Sequence, residues 1–268
     1  MSEKVEDLAT TAPAERAQRE PRSALSQELA IIAALWRRDM LHLLRERSRW
    51  LGVVMQPLFF WFLLGSGMAD TFKLGSGESY LHFFFPGVLI MVPLFSAIYG
   101  TITIIEDRKS GFLQGVLVAP GSRISLVLGK VCGICTMVLI QSALFVAMAP
   151  LAGYAYGTIH WPILALVMVL TTVGLTGLTV TMAWVLSSSQ AYHAIMSVVL
   201  LPLWIVSGAM FPAGGNFMRY VIRANPLGYA VEGTRAALGG SGDLALSLLV
   251  LGGFATLTLA MAAAVSRR

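Results

Sequence analysis

Few side chains in this sequence stand where they could do covalent chemistry. Cys132 and Cys135 have a C-x-x-C spacing, which in a cytosolic loop would suggest metal binding or redox exchange. They fall instead inside an apolar run, Val131 to Ile140, with no second pair and no nearby His, so they read as small packing residues. His42, His82, His160 and His193 are scattered and form no metal-ligand grouping, so no metal is expected. No nucleophile–base pair is visible, which removes support for catalysis. A phosphate-cradling loop would need G-x-x-x-x-G-K-[ST]. The Gly129-Lys130 pair has Ile124 at the first glycine position and Val131 where Ser or Thr belongs. This chain therefore carries no nucleotide site, and any ATP and Mg would be bound elsewhere.

The elements that hold these residues explain why. Of 268 residues, 56% are hydrophobic and 12% charged, whereas a soluble domain carries about 25% charged residues. The apolar residues come in blocks long enough to cross a hydrocarbon layer, which takes roughly 20 residues of helix. Six such runs are predicted, at about 50–68, 83–105, 126–151, 162–186, 191–210 and 244–265. Ser187, Ser188, Ser189 and Gln190 make a tight polar turn between the fourth and fifth. The fold class is an all-α membrane protein. Residues 1–27 are charged and rich in Ala, Thr, Ser and Pro, and read as a disordered tail without a cleavable signal.

Orientation follows from the basic residues. Fifteen Lys and Arg lie on the side of both termini and four on the other, Lys73, Arg219, Arg223 and Arg235. Basic loops stay cytoplasmic, so both termini are expected there. Ahead of the first span, residues 28–49 pattern as a helix, with Leu29, Ile32, Leu35, Trp36, Met40, Leu43 and Leu44 at helical spacing. Arg37, Arg38, Arg45 and Arg47 fill much of the rest. Such a basic amphipathic helix with a Trp lies in the headgroup region. It either anchors the chain to lipid or cuffs the bundle.

None of the spans holds an Asp, Glu or Arg near its middle, and Lys130 sits at a cytoplasmic end. Ion-coupled carriers use intramembrane ionisable groups, so coupling to a gradient has no evident site here. The polar residues inside are mild: Gln56, Gln141, and Thr171, Thr172, Thr176, Thr179 and Thr181. Small hydroxylated residues in lipid mostly serve helix–helix contacts, and the Gly129–Gly133 spacing reads as a close approach of helices. Work done on this bundle would have to be delivered by a separate subunit.

The loop between the second and third spans is the natural place to receive it. Glu106, Asp107, Arg108 and Lys109 open this loop. Phe112, Leu113, Val116 and Leu117 then form one apolar face, and Pro120-Gly121 stops the helix. Such a short amphipathic helix fits a lipid surface or a partner's groove, and the residues alone do not choose. On the opposite side, residues 211–240 are punctuated by Pro212, Asn225-Pro226 and Gly239-Gly240. They suit two short helices dipping into the outer leaflet, with Glu232 and Arg235 at i, i+3 able to pair. Aromatic residues cluster at Phe59–Phe62, at Phe83–Phe85, and at Tyr154, Tyr156 and Trp161; most fall near predicted membrane edges, as an aromatic belt or a stacking path for sugars.

Taken together, these residues resemble the ABC-2 type export permeases. The resemblance rests on Phe85-Pro86-Gly87, Glu106-Asp107-Arg108, Gly111, Leu113, Ala119-Pro120, Ser122-Arg123 and Gly129-Lys130. It continues through Phe211-Pro212, Asn225-Pro226-Leu227-Gly228-Tyr229, Glu232 and Arg235, and covers 28–268. Asp107 departs from the pattern, since many members show Glu-Arg directly after the span. The resemblance implies a permease, not an enzyme, in the bacterial inner membrane. It would pair with a second copy and dock two ATPase subunits that bind ATP and Mg. It further implies that Glu106, Asp107, Arg108, Gly111, Phe112 and Leu113 couple the ATPase to the helices. Pro212, Asn225, Pro226, Tyr229, Glu232 and Arg235 would belong to an external gate. Expected cargo is an amphiphilic or hydrophobic compound, with a lipid-linked glycan or lipo-oligosaccharide as the near alternative. A non-transporting scaffold and a secondary carrier are the rivals of other classes, and no nucleic-acid partner is expected.

Overall fold

The computed structural model describes residues 24–45, 47–68, 79–111, 122–211 and 215–266. Residues 1–23 of the expected tail, the apolar part of the coupling loop including Phe112 and Leu113, and Pro212 lie outside the described residues. Helix α1 spans Ala24–Arg45 and α2 spans Arg47–Gly67. Two consecutive helices, α3 (Tyr80–Leu89) and α4 (Met91–Lys109), follow. Next come α5 (Arg123–Val146), α6 (Trp161–Val185), α7 (Ser189–Trp204), α8 (Gly215–Ala224), α9 (Pro226–Ala237) and α10 (Leu244–Ser266). Among the described residues, five stretches are long and apolar enough to cross a membrane: Tyr80–Lys109, Ile124–Val146, Trp161–Val185, Ser189–Ala209 and Leu244–Ser266. Helix α2 occupies the place expected of a further span.

Prolines set several helix boundaries. Pro93 has no N–H to offer the Leu89 carbonyl and its ring crowds that group, so the second apolar segment breaks at Ile90 into α3 and α4. Pro150 bears the same relation to Val146, where α5 ends. The expected third span to residue 151 is therefore shorter, and Ala149–Ala152 winds as a 3-10 turn. Ser79 starts α3 as an N-cap accepting from the His82 N–H. Ser188 does the same for α7 through Ala191. At its far end α7 widens into a π turn, Ile205–Ala209, closed by Gly208 at φ +81°. Helix α1 begins at Ala24, ahead of the expected Glu28, and α2 begins at Arg47 rather than near residue 50.

The bundle is organised around α6, which packs on α4, α5, α9 and α10. Small residues let it do so. A Cβ on Gly177 would stand 2.7 Å from the Thr258 carbonyl carbon and 2.8 Å from the Leu259 nitrogen. The threonines of α6 are buried at this core, Thr179 bonding Thr101 of α4 at 3.0 Å. The outward faces of α7 and α10 stay apolar and exposed, with Val198 and Leu249 on them, as lipid-facing surfaces are. Much of the expected aromatic belt turns inward instead. Trp61, Phe84, Phe85 and Tyr154 are buried, and Phe85 stacks on Phe145 at 4.8 Å. Phe59, Phe62, Tyr156 and Trp161 remain exposed. Cys132 is exposed and Cys135 half-buried, both as free thiols.

Candidate functional site

At one end of the bundle, where α4 ends and α5 begins, four charges from three helices meet. Arg38 and Asp39 come from α1, Asp107 from α4 and Lys130 from α5. An Arg38 Nη2 donates to Asp107 Oδ2 at 2.8 Å, and the Lys130 ammonium lies 2.9 Å from Asp39 Oδ2 and 3.9 Å from Asp107 Oδ2. Lys130 also donates to Thr103 Oγ1 at 2.7 Å. The two acids balance the two bases. Balance matters because the Lys130 side chain is only 4% exposed, and an unpaired ammonium at such a depth would cost several kcal/mol. Arg38 is partly buried, which works against its charge. The bond from Asp107 and the field of Asp39 outweigh that and raise its pKa.

The next residue points elsewhere. The Arg108 guanidinium donates to the Trp184 carbonyl at 3.1 Å, to Ala183 at 3.4 Å, and closely to Leu186. These are carbonyls left without partners at the end of α6, where a cation also answers the negative end of the helix dipole. Asp107 and Arg108, expected to couple an ATPase to the helices, use their charges on contacts with α1 and α6 inside the chain. Glu106 is exposed, as is Gly111, whose φ of +76° lets the backbone turn out of α4.

Helix α1 lies along the N-terminal half of α5, and its contacts advance in the same direction on both helices. Glu28 accepts from the Ser122 N–H at 3.0 Å, from Ser122 Oγ at 2.9 Å and from Ser125 Oγ. Those bonds, Ser125 first and Ser122 next, hold the Glu28 carboxyl below its ordinary pKa. A carboxylate is well placed there, at the positive end of α5. Further along, a Cβ on Gly129 would come within 2.9 Å of Leu35 Cβ, and one on Gly133 would come within 3.5 Å of Asp39 Cβ. Trp36 Nε1 donates to Thr136 Oγ1 at 3.0 Å. The Gly129–Gly133 approach expected from the sequence thus has α1 as its partner. Arg37 remains exposed. Arg45 and Arg47 belong to α1 and α2, and their side chains lie outside the described residues.

Sequence reasoning missed Asp39, Glu28 and Thr103. Asp39 had a signal, being an acid directly after Arg37-Arg38 in an otherwise basic segment. Glu28 and Thr103 had none, because their partners are remote in sequence.

The opposite end carries the residues expected of an external gate. Asn225 is buried and caps α9, accepting from the Leu227 N–H at 3.0 Å and donating to the Leu203 carbonyl at 2.6 Å. Pro226 takes the first helical position, where its missing N–H costs nothing. Tyr229 packs half-buried against the core. Glu232 accepts from the Asp243 N–H at 3.0 Å, tying α9 to the start of α10. Arg235 donates to the Gly208 carbonyl at 2.8 Å and sits 4.4 Å over the Phe83 ring. The Phe85-Pro86-Gly87 motif meets the same region: a Cβ on Gly87 would stand 2.7 Å from Ala209, and Trp204 Nε1 donates to the Gly87 carbonyl at 2.8 Å.

Comparison with known proteins gives the family. A family model described as ABC-2 type transporter matches residues 31–238. Relatives described as transport permease ycf38 share 29% identity in Porphyra purpurea, covering 76% of this chain and 72% of the relative. The Cyanophora paradoxa protein of that name shares 28%, over 78% and 73%. The daunorubicin resistance ABC transporter permease protein DrrB1 of Streptomyces coeruleorubidus shares 24%, over 86% of this chain and 84% of the relative. With the family match spanning most of a chain of long apolar helices, this membrane protein belongs to the ABC-2 type transporter family.

Proposed function

We propose that the chain is the membrane-spanning subunit of an exporter driven by ATP hydrolysis in a separate subunit. Six helices cross the bacterial inner membrane, α2 being the first, and both termini lie in the cytoplasm. Two copies form a homodimer, and each docks one ATPase through the loop between α4 and α5. ATP and Mg bind to those partners. The cargo is an amphiphilic or hydrophobic compound, in keeping with the drug-resistance permease among the relatives. Residues 28–268 form the transport domain, and α1 is its interfacial helix.

The observation that carries this reading is the grip on the ends of the loop. Asp107 and Arg108, at its start, are bonded to α1 and to the end of α6. Ser122, at its finish, is bonded to Glu28 of α1. A push on the loop therefore reaches α1, α4, α5 and α6 together instead of bending a loose segment. Glu106, Gly111, Phe112 and Leu113 present the docking surface, while Asp107 and Arg108 transmit. At the other end, Pro212, Asn225, Pro226, Tyr229, Glu232 and Arg235 belong to a gate that opens when the helices tilt.

The test is reconstitution. Vesicles holding this chain alone should move no cargo, and adding the ATPase with ATP should start export. Phe112→Asp with Leu113→Asp should abolish both association with the ATPase and export. Transport by the chain alone, or transport untouched by the two substitutions, overturns the reading.

A further inference from the structure

Beside the gate residues lies an open cleft of about 440 Å³, and its charge is one-sided. Arg219 and Arg223 of α8 line it with Arg235 and Glu232 of α9, and His82 and Phe83 of α3 close another wall. Three guanidiniums thus face one carboxylate. That carboxylate is already engaged by the Asp243 N–H, whose own side chain caps α10 through Leu246. Arg235 is held in place by the Gly208 carbonyl and the Phe83 ring, which orients it as a fixed wall of the cleft. Arg219 and Arg223 are exposed, one helical turn apart on one face of α8, and neither has a hydrogen bond or ion pair to another described residue.

The rest of α8 says what surrounds this cleft. Phe217 is 79% exposed and Tyr220 72% exposed on the same helix. A short helix that exposes arginines and aromatics together suits a membrane interface, where the arginines lie at the depth of headgroup phosphates. Guanidinium forks pair with phosphate oxygens bidentately, and several on one anion give charge-assisted bonds of about twice the ordinary strength.

We infer that this cleft binds a phosphate group, with Arg219 and Arg223 as its exposed ligands and Arg235 as the one held in place. Two sources fit the chemistry: the headgroup of an anionic phospholipid, or free phosphate. Only the lipid source rests on the topology proposed above; the site itself rests on charge and geometry.

The experiment measures binding to the purified full chain in a neutral detergent. The probes are short-chain phosphatidylglycerol, short-chain phosphatidylcholine and inorganic phosphate, read by native mass spectrometry and by calorimetry. Phosphatidylglycerol should bind more tightly than phosphatidylcholine, and Arg219→Gln with Arg223→Gln should weaken it by at least roughly tenfold. Inorganic phosphate binding as tightly as the lipid, with the same loss in the double variant, supports the site and identifies free phosphate as the source. Equal binding of phosphatidylcholine and phosphatidylglycerol overturns the proposal, as does a double variant that binds like the wild type. Both arginines are exposed, so the variant should fold, which circular dichroism checks. Attaching an impermeant label to a cysteine placed at Phe217, in intact cells, tests the topology separately.

Discussion

Replacing Asp39 with Asn removes the nearer of two carboxylates facing the buried Lys130, and the geometry sets the size of the effect. At 2.9 Å, with an effective dielectric of about 20, the attraction is roughly 6 kcal/mol before desolvation is counted. Desolvation of both groups offsets part of this. Asp107 at 3.9 Å and Thr103 remain near the ammonium afterwards. The net loss should be about 3 kcal/mol, at the low end of values for breaking a buried pair. Arg38→Gln should cost only about 1 kcal/mol, because a third of that side chain is in solvent. The decisive variant is Asp39→Asn combined with Lys130→Met. It leaves Arg38 and Asp107 as a balanced pair, so it should recover most of the loss. Reversible unfolding in mixed micelles, followed by circular dichroism, measures all four proteins. An Asp39→Asn protein within about 0.5 kcal/mol of the wild type refutes the reasoning, because a charge stranded in the core must cost more than that. A double variant weaker than Asp39→Asn refutes it too.

Three further outcomes follow from other contacts. Arg108→Met strips the cap from α6 and should lower stability by about 1–2 kcal/mol, with Arg108→Lys recovering part of it; the same unfolding assay reads both. Gly87→Ala places a methyl 2.7 Å from the Ala209 backbone, and should cost about 1–3 kcal/mol by overpacking; a loss under 0.5 kcal/mol would show that α3 and the π turn separate easily. The contact of α1 with α5 should depend on pH through Glu28. Its pKa is lowered in the folded protein, so the contact is complete above the ordinary Glu value of about 4.3 and fades as pH falls through the lowered value. Spin labels at Leu29 and Leu128 should separate on acidification in the wild type, and Glu28→Gln should remove that dependence.

The bonds of Asp107 and Arg108 bear on how docking force enters the bundle. Had both residues faced a partner, the loop would hinge where α4 ends. Bound to α1 and α6 as they are, they make the end of α4 a rigid corner. Substitutions at Asp107 and Arg108 would therefore change stability as well as transport, whereas changes at Phe112 or Leu113 would act on docking.

What the sequence determined alone was the class of protein and the placement of its long helices. Charge-free runs such as 162–186 and 244–265 exceed what any soluble helix needs, and a bilayer leaves such a run little choice but a helix. Turn chemistry was legible as well: Ser188 caps α7 and Asn225-Pro226 opens α9, because local hydrogen bonds dictate them. Tertiary structure decided which polar groups meet. Arg38 and Asp107 are 69 residues apart, and Arg108 and Trp184 are 76 apart. Neither pair leaves a mark on periodicity, since an inward and an outward charge at a helix end look alike in sequence. The same holds for the aromatics: Phe59 and Phe85 share a residue type and an apolar stretch of sequence, yet one is exposed and the other buried. Packing against α5 decides that, and only the assembled bundle supplies it.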